Sequence, residues 1–171
     1  MVPDLDLQLQ VAIKALTDVI APAIDPANKV AAEQLHLTVA TLTMVRDRLP
    51  IARRFTRRQL EDDLAMLDSL RALVTSGDPG RAAALGDAAE RARSLLADPE
   101  TDTAELETYR GILAEITVSA IEELQAGPAA PAVERIVLDA TRRSIERRRA
   151  WCIPAGFEPY PANVPAIETL I

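Results

Sequence analysis

Apolar residues recur at spacings of three and four along most of the chain, the period of helices with one face turned to a core. Leu5, Leu9, Ile13, Leu16 and Ile20 mark a first helix that Asp4 opens as N-cap and that runs to about Ala21. Within it, Leu5-Asp6-Leu7-Gln8-Leu9-Gln10-Val11 alternates strictly, which is strand spacing. The following Ala12–Ile20 breaks that alternation, and helix is the reading kept. Asp25-Pro26 supplies a capping carboxylate and a proline suited to a first helical position, so a second helix is expected from there to about Leu49. Its seam is Ala31, Leu35, Thr38, Leu42, Val45 and Leu49; Leu37 and Met44 widen the face, which implies neighbours on two sides.

A third helix is expected to start between Pro50 and Thr56, with Leu60, Leu64, Leu67, Leu70, Leu73 and Val74 on its apolar face. Ser76-Gly77-Asp78-Pro79-Gly80 reads as a break. An Ala-rich helix over about 81–96 follows and closes at Asp98-Pro99. Asp102 or Thr103 caps a fifth helix carrying Leu106, Tyr109, Leu113, Ile116, Ala120 and Leu124. The sixth runs from about Pro131 to Trp151, its face of Val133, Ile136, Val137 and Ala140 giving way to arginines after Thr141. Beyond it Pro154, Pro159, Pro161 and Pro165 exclude a long helix, yet Ile153, Phe157, Tyr160, Val164, Ile167, Leu170 and Ile171 are apolar, unlike a disordered tail. The expectation is an all-α antiparallel bundle of about six helices over residues 1–152. A non-helical, Pro-rich C-terminal arm over residues 153–171 docks on its own bundle or a partner's.

Composition supports this and narrows function. The 171 residues suit one domain; 30 are Ala, 3% are aromatic, and the core is expected to be aliphatic. A net charge of −7 argues against nucleic acid. The charge is uneven: residues 41–60 carry six Arg against one Asp, and residues 61–130 carry fifteen acids against five Arg. Met1–Leu9 lacks the basic start and apolar stretch of a signal peptide, and no apolar run reaches the ~20 residues of a membrane span. Cys152 is the single cysteine, as in a reducing compartment, so a cytoplasmic protein with no membrane contact is expected.

Residue types that carry chemistry are scarce. Glu33 and His36 lie three apart on the second helix, the spacing with which carboxylate bundles hold a divalent metal. Asp18 and Glu115 or Glu122 are candidate further ligands. His36 is the only histidine, which limits such a site to a single-His form. Arg53, Arg54, Arg57 and Arg58 cluster at the start of the third helix, where cations oppose the dipole and where an anionic small molecule would be held. Read structurally, Arg57 with Glu61 and Arg58 with Asp62 are i,i+4 ion pairs. The run Arg142–Arg149 reads as a solvated C-terminal face. Trp151, Phe157 and Tyr160 put three of the five aromatics in the arm region, an interaction surface if exposed together. Nothing designates a nucleophile and base, and no cofactor is expected. The leading expectation is a non-catalytic protein acting through association, as a homo-oligomer (a dimer in preference) or with a protein partner. The metal bundle and the anion binder are its alternatives.

Overall fold

The computed structural model describes residues 4–74, 79–156 and 158–171. Among them are six main helices and no strand: α1 (Leu5–Ala15), α2 (Lys29–Arg48), α3 (Ala52–Arg71), α4 (Pro79–Ala97), α5 (Thr103–Gln125) and α6 (Ala130–Cys152). The all-α expectation holds. The arm keeps only three 3-10 turns, Ile153–Ala155, Pro161–Asn163 and Ile167–Thr169. Of the break expected at 76–80, residues 76–78 lie outside the described residues, while Pro79 and Gly80 already belong to α4. No helix among the described residues is long and apolar enough to cross a membrane.

The chain divides into two compact units, residues 1–51 with 148–170, and residues 52–147. The last turn of α6 belongs with α2 and the arm.

In the unit of residues 52–147, α3 packs against both α4 and α5. Arg57 reaches Leu96 near the end of α4, so α3 and α4 are antiparallel; Thr56 reaches Glu107 and Arg110 reaches Asp63, so α3 and α5 are parallel. Leu60, Leu67 and Leu70 of α3 are fully buried, with Leu64 packed beside them. Leu60 and Leu67 meet Leu85 and the small Ala88, Ala89 and Ala92 of α4, and Leu106, Leu113 and Ala120 of α5, which recur every seven residues. The alanines leave room for Tyr109, whose hydroxyl donates to the Ala88 carbonyl at 2.7 Å. Burial pushes that phenol above its usual pKa. Asp102 caps α5 by accepting from the Glu105 N–H at 2.7 Å.

The unit of residues 1–51 and 148–170 has a different construction. Asp4 caps α1, accepting from Asp6 N–H at 3.1 Å. The helix then widens into a π-helical turn (Leu16–Ile20), closed by Ala21 N–H to the Leu16 carbonyl, before a last short turn (Ala21–Ala23). Pro22 explains the widening. It lacks an N–H, and its ring crowds the carbonyl four residues back, which a wider turn relieves. The Asp25-Pro26 start signal is displaced: Asp25 accepts from Ala27 N–H at 2.9 Å in a turn of its own, and Asn28 caps α2 through Ala31 N–H at 3.1 Å. The helix therefore begins three residues later than the proline suggested. α1 and α2 form an antiparallel hairpin, tied at one end by Arg46 to Asp6 at 2.7 Å.

Candidate functional site

The end of α6 and the arm settle against α2 through Ile153–Ala155. Arg48 of α2 organises the contact. Its guanidinium donates to the Ala150 and Trp151 carbonyls, each at 2.9 Å, and lies 5.5 Å from the centre of the Trp151 ring. A cation thereby satisfies carbonyls that the end of α6 leaves open and stacks on an aromatic face. Farther along, Arg149 grips Glu158 with two parallel bonds of 2.9 and 2.8 Å, and Tyr160 N–H donates to the same carboxylate at 3.1 Å. These bonds hold the Glu158 pKa down at about 2, the arginine contributing most. Ile167 is buried at the far end of the arm. Of the three arm aromatics, Trp151 is half-buried and Tyr160 is 66% exposed, while Phe157 lies outside the described residues.

The hairpin has no fully buried residue in α1, its π turn or α2. Leu9, Ile13 and Leu16 turn inward and are half-covered, and so are Ala31, Leu35, Val39 and Leu42 across from them. Thr38, Val45 and Leu49 of the expected α2 seam are exposed, their places as covered residues taken by Val39, Met44, Arg46 and Arg48. A second apolar row runs down α1 away from the inward one. Leu7, Val11 and Val19 are 55%, 59% and 63% exposed, and Ala15 between them is exposed too. The strand-like alternation of Leu5–Val11 has its cause here. On a helix, residues two apart stand about 200° apart, so alternate apolar positions fill two nearly opposite faces. Leu9 belongs to the covered face and Leu7 and Val11 to the open one.

Glu33 and His36 are both exposed on α2. His36 lines a groove of about 190 Å³ against the π turn, with Thr17, Ala21, Ala32, Leu35 and Val39. No carboxylate lines it. Asp18 is engaged by Lys14 at 3.9 Å, and Glu115 and Glu122 belong to the other unit, exposed on α5. Among the described residues no three His, Cys, Asp or Glu come together.

The four arginines expected to bind an anion are drawn in different directions. Arg53 donates to the Thr101 carbonyl at 3.0 Å and also to that of Pro99, and Arg57 donates to Leu96. Arg58 pairs with Glu61 at 2.9 Å, and Arg54 is exposed with no partner among the described residues. The antiparallel packing of α3 on α4 accounts for the two that turn inward. It brings the negative C-terminal end of α4 beside the first turns of α3, so cations unfavourable to their own helix serve the neighbour's open carbonyls. From the run at 142–149, Arg147 is not solvated. It is 4% exposed and salt-bridged to Asp62, a buried pair with no signal in the local pattern. A second cavity, about 250 Å³, is lined by Leu73, Val74, Arg81, Ala120, Glu123, Leu124 and the Gly127–Ala129 turn. Both cavities fall below the ~300–1,000 Å³ of ordinary small-molecule sites.

No protein-family model, curated protein or solved structure matches the chain. The open row of α1, with the exposed Val30 and Leu37 of α2, is thus the feature that burial and packing leave unexplained.

Proposed function

We propose that this protein works by contact with other protein surfaces rather than by catalysis, and that its hairpin unit makes the contact. One observation carries the reading: among the described residues of that unit, ten large hydrophobic ones are exposed. Scattered single apolar residues are normal on a surface, but rows of them at helical spacing mark interaction sites. The directions taken by Glu33, His36 and the Arg53–Arg58 group give the metal and anion alternatives no added support. The half-covered Cys152, the single cysteine, fits a reducing compartment, and we place the protein in the cytoplasm.

Light scattering on the full chain at micromolar concentration tests the proposal. A mass of two or more copies is expected. The mass of one copy would count against association as the protein's mode of action.

A further inference from the structure

We infer that a second copy of this chain docks on the unit of residues 52–147, its α6 lying antiparallel along the outer face of α5. This contact lies outside the hairpin and goes beyond the association proposed above.

Among the described residues of this unit, four large hydrophobics are exposed, and they fall on two helices: Ile112 and Val118 on α5, Leu138 and Ile145 on α6. The two helices carry opposite charge. α5 has five Glu against one Arg, whereas α6 has six Arg against three acids. Gly111, Glu115, Val118 and Glu122 follow one another along the outer side of α5, and Arg135, Leu138, Arg142 and Ile145 along that of α6, at spacings of three and four. All eight are exposed, and Glu115, Glu122, Arg135 and Arg142 have no ion-pair partner among the described residues. Of the acids on α6, Asp139 and Glu146 stand about 100° round from Leu138 and Ile145. Glu134 lies beside the row at its start.

Laid antiparallel, the two rows match at every position. Ile145 faces Gly111, Arg142 faces Glu115, Leu138 faces Val118, and Arg135 faces Glu122. The two glutamates and the two arginines are each seven residues apart, about 10.5 Å along a helix, so both ion pairs form in one register. Gly111 is a second, independent sign. Glycine inside a helix costs stability relative to alanine, and a Cβ added here would meet nothing of the described chain within 4 Å. The protein's own packing gives no reason for a glycine at this point. Close approach of a neighbour's Ile145 over bare backbone does.

Charge complementarity commits the seat to a copy. A foreign helix would match one face only, whereas this chain carries both halves at one spacing. Two copies related by a two-fold axis meet reciprocally, α5 of each on α6 of the other. The net charge of −7 opposes approach elsewhere on the surface. The rows are short, so the contact belongs with small, transient interfaces rather than obligate ones.

Sedimentation of the full chain across micromolar concentrations at low salt, with circular dichroism on the same samples, tests the seat. The wild type is expected to self-associate and to lose affinity as salt screens the pairs. Glu115→Arg with Glu122→Arg, and separately Arg135→Glu with Arg142→Glu, are each expected to weaken association roughly 10-fold or more. Mixing these two variants is expected to restore it, because each then meets opposite charge on both faces. Combining all four substitutions in one chain, which returns the net charge to −7, is expected to restore it as well. Gly111→Leu changes no charge and is expected to weaken association with helix content kept. Association at wild-type strength in the reversed variants or in Gly111→Leu, or a mixture no tighter than either variant alone, would overturn this seat and leave the hairpin as the contact. A wild-type monomer throughout would overturn both.

Discussion

Among the described residues, thirteen of the fifteen buried hydrophobic ones lie in the unit of residues 52–147, and ten of the fourteen exposed large ones lie in the unit of residues 1–51 and 148–170. The helices of the two units are of similar length and of similar residue types, so propensity does not make the difference. The number of helices around a common axis does. Three helices can enclose leucines such as Leu60, Leu67 and Leu113 on all sides, whereas a two-helix hairpin shields only the strip along which its members touch. Closed core and open apolar surface are therefore divided along the chain, the first in residues 52–147 and the second in residues 1–51 with 148–170.

The largest expected effect falls on the closed core. Leu67→Ala removes a side chain with no exposure at the meeting of α3, α4 and α5. A loss of about 2–5 kcal/mol is expected in urea unfolding. The matching truncation in the hairpin, Val30→Ala, acts on a residue that is 70% exposed and is expected to stay within about 0.5 kcal/mol. Equal losses at the two positions would erase the contrast between the units.

Removal of the buried ion pair ranks next. Asp62→Ala removes the carboxylate that is salt-bridged to the 4%-exposed Arg147 and lies 4.0 Å from Arg58, at an expected cost of about 3 kcal/mol. Asp62→Leu combined with Arg147→Met is expected to recover most of it, because a buried pair can be replaced by apolar groups that fill the same space. If the double variant were no more stable than Asp62→Ala alone, the pair would not be acting through charge burial.

What could be read in advance follows the same division. The face of Leu60, Leu64, Leu67 and Leu70 was legible because a helix enclosed by neighbours on one side shows one apolar stripe. Six helices and an arm beyond Trp151 followed from such stripes and from Pro and Gly punctuation. The first helix was harder. Its two opposite rows mimic a strand over Leu5–Val11, and Pro22 places a π turn where a plain end was expected. Asp25-Pro26 misled by three residues because Asn28, equally able to cap, stands nearer the helix that forms. The partners of the arginine cluster were not legible for a different reason. Whether Arg53 and Arg57 face solvent or a neighbour's carbonyls depends on which helix end lies alongside, and Arg147 meets Asp62 across 85 residues. Local spacing carries no trace of either partner.

A smaller loss is expected from Arg57→Ala, which opens the C-terminal carbonyl of Leu96 on α4. About 1 kcal/mol is the scale of one such hydrogen bond. The faster amide exchange that follows should be confined to the last turn of α4, as hydrogen exchange read residue by residue would reveal. Exchange spreading along the whole of α3 would mean that Arg57 supports its own helix rather than its neighbour.

The smallest effect belongs to the arm and separates it from both helical parts. Glu158 titrates at about 2 when folded against an ordinary value of 4.5, because Arg149 and the Tyr160 N–H favour its ionised form. A depressed folded pKa stabilises the docked arm fully above pH 4.5, and this support fades as the pH falls from there toward 2. Trp151, the only tryptophan, sits under Arg48 at the base of the arm and reports on it. Its emission is expected to change between pH 4.5 and 2 in the wild type. In Glu158→Gln the neutral amide can no longer pair with Arg149 as an ion, and that change is expected to be lost from the profile. The core unit contributes no tryptophan to the signal, so circular dichroism on the same samples tells release of the arm from general acid unfolding. A tryptophan transition of equal size in wild type and Glu158→Gln would show that the arm is held by its apolar contacts, such as buried Ile167, and not by the Arg149–Glu158 clasp.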